Sequence, residues 1–585
     1  MIGETSSGTS LRPAEWRQRL SSLPGSAIRR LEDERTCWIV LGLAVAAYIA
    51  LALWLTRGTT FYVDEVNFFE SSHGWEPKEL LAPVNGHLLA VPRAIYAASF
   101  RLFGASYVPL RVIEAAGVAL VAVLFFALAK PRIGGAAALA PTLVLLFFGT
   151  SWEITLSPLG IPNVYSLAAG LGALLALERG GRHGDLGACV LLLVAVGSYS
   201  VGLAFVAAAA VFVLLQPDRW RRVWVFLIPL ALYGAWWLAK PSLETPLSGL
   251  KLGVQLSNLP QVPEFVANSA AAVAVAVTGL NYDSSANTSF VPGNADPIWG
   301  PILAAIAAIA LVARLRRGRV SPSLSAGIVL LLTLWTSFAL VAFTFGRTPE
   351  QARYMYPGAV AALIVAVEAT RGIRLSRRAV LALFGLAAVS LAFNIAHFFQ
   401  GGAWLRSYSP SARAQFTAVE LAHDSVDPAF VPSGGVSFLL GVEAGPYLAA
   451  VDRIGSPAFT PAELQGQSET VRQSADSTLA AALGVNLAPI AAGVKGHDCS
   501  RVGVASNAAG VSFSVHPPGA LLRSPIAGEV AVGRFATGAP VPTGSLAAHQ
   551  RAVLSIPADR FSGPWHATVT PAQSPVTVCA LDDAP

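Results

Sequence analysis

Trp38–Thr56 reads WIVLGLAVAAYIALALWLT, nineteen residues without a charge. About 20 apolar residues carry a helix across the ~30 Å hydrocarbon core of a bilayer, so this stretch is expected to span a membrane. The residues before it are polar and basic, with Arg17, Arg19, Arg29, Arg30 and Arg35. No small-residue cleavage site follows the apolar run, so residues 1–35 are expected to be an uncleaved cytoplasmic tail.

The whole chain shares this character. Of its 585 residues 54% are hydrophobic and only 13% are charged, and its net charge is +6. A soluble protein carries roughly a quarter charged residues, so lipid is the expected solvent. No nucleic-acid partner is expected. Two methionines in a chain rich in Ala, Gly, Arg and Val match the composition of a high-GC bacterial gene.

Working outward, ten further apolar segments have spanning character: Tyr107–Ala129, Gly134–Gly149, Ile161–Leu177, Leu186–Ser198, Val201–Leu215, Val223–Leu238, Ile298–Ala313, Ala326–Phe345, Tyr356–Thr370 and Ala379–Phe398. With a cytoplasmic N-terminus, every second loop is basic: Lys130–Arg132, Arg179–Arg182, Arg219–Arg222, Arg314–Arg319 and Arg371–Arg378. That alternation obeys the positive-inside rule. Counting Val262–Leu280 as a span would break it, so this stretch is expected to be interfacial or re-entrant. Leu88–Phe103, interrupted by Arg93 and Arg101, is expected to lie on the outer leaflet as an amphipathic helix.

The expected fold is therefore a polytopic α-helical membrane protein of about eleven transmembrane helices with a C-terminal extracytoplasmic, mainly-β domain. The domains are a tail over 1–35, a transmembrane domain over 36–400 with outer loops 57–106 and 240–297, and a β-sandwich-like domain over 401–585. Short apolar runs at Val436–Leu440, Val511–Val515, Val530–Phe535, Val553–Ile556, Ala567–Thr570 and Val576–Leu581, separated by Gly, Pro, Ser and Asn, point to the sandwich. A helix is expected near Glu469–Leu483. Cys37 and Cys189 fall in spans, where a lone cysteine is usually a small buried hydrophobe. Cys499 and Cys579 fall in the outer domain, where an oxidising compartment allows a disulfide.

Chemistry concentrates at the outer face. Phe61-Tyr62-Val63-Asp64-Glu65 follows the first span and offers paired carboxylates near the lipid interface, where desolvation favours general-base work. Asn85-Gly86-His87 lies further along this loop, and Arg111 and Glu114 lie early in the second span. Trp152-Glu153 sits at an outer helix end, as a lining of an acceptor groove or as a structural interfacial anchor. The outer loop after the ninth span reads Gly346-Arg347-Thr348-Pro349-Glu350-Gln351-Ala352-Arg353-Tyr354. The sequon Asn287-Thr288-Ser289 carries little meaning in a bacterial chain.

Over Trp38–Gln400 these features resemble the GT-C superfamily of polyprenyl-phosphate-sugar-dependent glycosyltransferases, which includes protein O-mannosyltransferases, aminoarabinose transferases and actinobacterial arabinofuranosyltransferases. Four features carry the resemblance: the carboxylate pair opening the first outer loop, the amphipathic juxtamembrane helices, the Phe103-Gly104 then Arg111 entry to the second span, and Ala352-Arg353-Tyr354 at the outer end of a late span. Where many relatives carry His-Pro-Pro-Leu, this chain has His87-Leu88-Leu89.

The resemblance implies an inverting transfer from a polyprenyl-phosphate sugar to a glycan or lipid-linked acceptor on the outer face of the plasma membrane, in cell-envelope glycan assembly. It implies Asp64 as general base, with Glu65 orienting the acceptor or holding a divalent cation (Mg or Mn). Arg347, Arg353, Tyr354 and His87 would bind the donor phosphate, with Asn85, Trp152 and Glu153 as acceptor or structural residues. The alternatives are a multi-span transporter or lipid flippase, or a non-enzymatic membrane scaffold. The near absence of midplane charge and of internal repeats argues against transport.

Overall fold

The computed structural model describes residues 33–71, 74–244, 253–280, 296–318, 320–342, 346–373, 375–432, 442–490, 495–503, 510–538, 540–571 and 574–581. Most of the 1–35 tail, the Asn287 sequon and the run Val436–Leu440 lie outside these residues. The chain divides into two compact units. One holds the described residues up to Leu55, Leu81–Pro92 and Arg111–Gly402; the other holds Thr56–Leu80, Arg93–Leu110 and the chain from Ala403 onward.

All eleven expected spans fall on helices. They are α1 (Glu34–Leu55), α4 (Val108–Ile133), α5 (Gly135–Leu146), α6 (Ile161–Arg179), α7 (Gly181–Ser198), α8 (Gly202–Leu214), α9 (Trp224–Leu243), α11 (Trp299–Arg316), α12 (Pro322–Ala342), α13 (Ala352–Ala369) and α14 (Arg377–Leu421). Among the described residues, seven helical segments are long and apolar enough to cross a bilayer. Those built on α7, α8, α9 and α13 fall below that mark. At about 1.5 Å per residue the thirteen residues of α8 make only about 20 Å.

Of the short helices between α1 and α4, two are α2 (Glu65–Ser71) and α3 (Ala90–Phe103). The residues of α10 (Val262–Thr278) bury Phe265, Ala272, Val275 and Ala276, and the helix packs on α11, α12 and α13. In α11 the side chains of Ile302, Ile306, Ile309 and Val312 stay uncovered by protein. A helix apolar on all sides with so little protein cover has lipid for its surroundings.

In the first unit all five basic loops meet at one end of the bundle. Arg132 pairs with Glu178 and with Glu368. Arg222 binds Asp185 at 2.7 Å and donates to the Leu177 carbonyl. Arg314 donates to the Ala369 carbonyl, and the Gly372 N–H donates to that of Arg132. The loops that the charge rule groups on one side are thus physically joined.

In the second unit nine strands among the described residues form two antiparallel sheets, in the region where a β domain was expected. Sheet order is β1-β7-β4-β9-β2 in one sheet and β3-β8-β5-β6 in the other, for strands β1 (Asn486–Pro489), β2 (Gly496–Val502), β3 (Val511–Val515), β4 (Gly519–Arg523), β5 (Gly528–Gly533), β6 (Val541–Leu546), β7 (Arg551–Ser555), β8 (Trp565–Thr570) and β9 (Val576–Leu581). Every pairing is antiparallel. Strand β3 alternates buried and exposed, as a half-buried strand must. Helix α15 (Ala444–Ile454) packs on α2, and α16 (Glu469–Leu483) precedes the strands. Asp476 of α16 accepts the backbone N–H groups of Arg534, Phe535 and Ala536 at 2.9–3.0 Å, fixing the turn after β5. Cys499 and Cys579 form the expected disulfide between neighbouring strands.

Candidate functional site

Two clusters of the expected residues emerge, one in each unit. The first is the turn Thr60–Val66. Phe61, Tyr62, Val63, Glu65 and Val66 are all buried, and Asp64 alone in this run reaches solvent. Val63 adopts φ 50°, a left-handed conformation that costs a β-branched residue about 1–3 kcal/mol. The twist separates the two carboxylates. Glu65, 0% exposed, faces the interior of its own loop. Its Oε2 accepts the Tyr62 N–H at 2.9 Å and the Tyr107 hydroxyl at 2.7 Å, and its Oε1 accepts the Tyr96 hydroxyl at 3.0 Å. Three donors occupy three of its roughly four acceptor positions, which leaves this carboxylate a poor fit for a cation. Among the described residues no group of three or more His, Cys, Asp or Glu could hold a metal.

The second cluster lies in the helical unit. Val84 and His87 pair across a two-residue turn, N–H to carbonyl in both directions at 2.9–3.1 Å. Asn85 and Gly86 take φ 47° and 79° at its centre, which is the Asn-Gly preference of a tight hairpin turn. That turn accounts for Asn85 by backbone geometry. It presents His87, whose Nδ1 lies 2.6 Å from the Ser200 hydroxyl and whose ring leans on Tyr199. Burial, then the positive charges of Arg347, Arg353 and Lys240, push the His87 imidazole down to about 3. His87 is therefore neutral at physiological pH and can serve an anion as a hydrogen-bonding group, with the charge coming from its neighbours.

Arg347, Arg353 and Lys240 thus lie within electrostatic reach of one imidazole. Arg353 stands in the first turn of α13, after a Gln351 N-cap that has no side-chain cap bond. The positive end of the helix dipole thus adds to the guanidinium charge. Lys240, over the Trp237 ring at 4.7 Å, was not singled out from sequence. Tyr354 is 6% exposed and packs its ring against Phe338 and Phe265. Trp152 and Glu153 are buried at 1% and 0% exposure. Trp152 lies flush against Gly401, where an added Cβ would stand 2.2 Å from its ring. Glu114 is likewise buried, near Tyr48, Tyr165 and Tyr356, with one oxygen against Gly160.

No family model matches the chain, and no curated protein matches it. Among solved structures it is similar to the archaeal oligosaccharyltransferase AglB from Archaeoglobus fulgidus, solved in complex with an inhibitory peptide and a dolichol-phosphate. Identity is 13% and the TM-score 0.39, over 66% of this chain and 58% of that one. The chain thus spans less than two thirds of that protein's length, and a likeness this slight decides neither fold nor activity. The elements themselves define the class: a polytopic helical membrane protein with a C-terminal β domain.

Proposed function

We propose that the protein is a membrane glycosyltransferase of GT-C type, moving a sugar from a polyprenyl-phosphate donor to a glycan or lipid-linked acceptor on the outer face of the plasma membrane. The observation that carries this is the positive field that Arg347, Arg353 and Lys240 exert on the neutral His87, which the Val84–His87 turn presents beside Ser200. Three cations acting on an uncharged imidazole suit a doubly charged phosphate, the leaving group of such a transfer. Supporting it is the half-buried carboxylate of Asp64, the one side chain of Thr60–Val66 that reaches solvent, suited to accept the acceptor hydroxyl's proton as that oxygen attacks the anomeric carbon with inversion. The phosphate departs with the electrons of the broken glycosidic bond.

Membranes carrying the protein, incubated with labelled polyprenyl-phosphate sugars and a crude envelope-glycan acceptor, test this. Asp64→Asn is expected to lower turnover roughly 10²–10⁴-fold, the usual worth of a general base. Arg353→Ala and Arg347→Ala are expected to weaken donor use, with Lys restoring part of it. Transfer that survives in Asp64→Asn refutes the assignment of the base. Transfer from no donor refutes the proposed activity.

A further inference from the structure

Glu65 was expected beside Asp64 in the chemistry, yet the fold turns it away. We propose that Glu65, held by the hydroxyls of Tyr96 and Tyr107, is a positioning residue that locks the Val63 turn so that Asp64 is the one carboxylate presented.

The donors come from three places. The Tyr62 N–H belongs to the turn itself, Tyr96 to α3, and Tyr107 to the residue before α4. Their convergence closes the turn from inside, while the Glu65 N–H donates to the Tyr62 carbonyl and the Val66 N–H to that of Val63. On one side the Tyr62 ring meets Trp404 and Tyr408 edge-on. On the other, the Phe61 ring packs on Phe69, Phe100 and Tyr107. A left-handed valine persists only where its surroundings overdetermine it, and this grip supplies that constraint. Releasing it lets Val63 relax to an extended or helical backbone and swings Asp64 out of place.

The inference rests on Asp64 being the base, and its test separates the two ideas. The full-length protein would carry Tyr96→Phe, Tyr107→Phe or both; phenylalanine keeps the ring packing and removes only the hydroxyl. Each single change is expected to lower kcat about tenfold with donor KM unchanged, and the double change about a hundredfold. Added to Asp64→Asn, the double change should cost nothing more. Glu65→Gln, which keeps one acceptor oxygen, should retain more kcat than Glu65→Leu.

Carbodiimide labelling read by mass spectrometry needs no activity. Asp64 should be modified and Glu65 spared in the wild type, and Glu65 should become reactive in the double variant. A double variant with full kcat alongside an inactive Asp64→Asn overturns the inference and leaves the base standing. Activity in Asp64→Asn overturns both. Equal labelling of Asp64 and Glu65 in the wild type overturns the positioning role whatever the activity.

Discussion

At the scale of single residues, the second unit holds one carboxyl in an environment opposite to that of Glu65. Glu70 is 5% exposed, and neither of its oxygens has a hydrogen-bond partner among the described residues. Burial, then the nearby charge of Glu443, pushes its carboxyl up to about 8. The folded state therefore holds a proton that the unfolded chain releases near pH 4.5. Stability from this group is full below that value and falls as pH rises through about 8, by roughly 3–5 kcal/mol in all. Thermal unfolding across pH 4–9 should show Glu70→Gln matching wild type at pH 4 and exceeding it at pH 9. Parallel curves would remove the assignment.

The catalytic and anion-binding candidates were unevenly legible at this scale. Asp64-Glu65 is conspicuous in the sequence, but their division of labour depends on Tyr96 and Tyr107, far along the chain. Lys240 is hard to read from sequence, because a lysine at the end of an apolar helix looks like an ordinary anchor. A signal was present, however: Lys240, Arg347 and Arg353 all fall in segments that the charge rule assigns to the side expected to be poorer in cations. Basic residues kept against that rule call for a local anion.

At the scale of elements, the crossing of α14 over the segment after α5 is a sharp test of packing. An added Cβ on Gly149 would stand 1.8 Å from the Asn394 carbonyl oxygen. Asn394 also accepts from the Thr150 N–H and hydroxyl at 3.0 and 2.8 Å, and donates to the carbonyls of Ser390 and Ala276. Gly149→Ala is expected to cost on the order of 3 kcal/mol, since backbone must move, and Asn394→Ala on the order of 2 kcal/mol. Detergent-solubilised protein should show both as lowered Tm, Gly149→Ala the more; an unchanged Tm for Gly149→Ala would contradict this crossing.

Helix and strand positions were the most readable part of the chain, since apolar runs and their spacing are local. Glu469–Leu483, Val511–Val515 and Val576–Leu581 match the expected bounds. The helix Arg377–Leu421 was expected to stop at Phe398, where polar residues begin. It continues because Leu405, Tyr408, Ala412 and Phe416 keep a helical spacing and find protein to pack on. The helix Ala444–Ile454 carried no expectation, because eleven residues with one apolar face are easily taken for loop.

At the scale of the whole molecule, the charge alternation makes a prediction about sides. With Cys37 and Cys189 replaced by Ser, single cysteines would be placed at the exposed Arg317 and Glu529. In intact cells an impermeant maleimide should label Glu529→Cys, and Arg317→Cys only after permeabilisation. The reverse pattern would invert the topology. Joining the basic loops through Arg132, Arg222 and Arg314 gives that alternation a structural counterpart, which no single loop in the sequence could reveal.

The grip on Glu65 also has a consequence for biogenesis. The ribosome delivers Glu65 first, Tyr96 thirty-one residues later and Tyr107 last, at the head of the second span. Until Tyr107 emerges, the carboxylate lacks one of its donors and water must serve in its place. The turn carrying Asp64 thus cannot close before the head of the second span is made, and its Tyr62 side waits longer, for Trp404 and Tyr408. A nascent chain halted before either point carries this turn without its full set of partners, so closure of the turn is timed by synthesis itself.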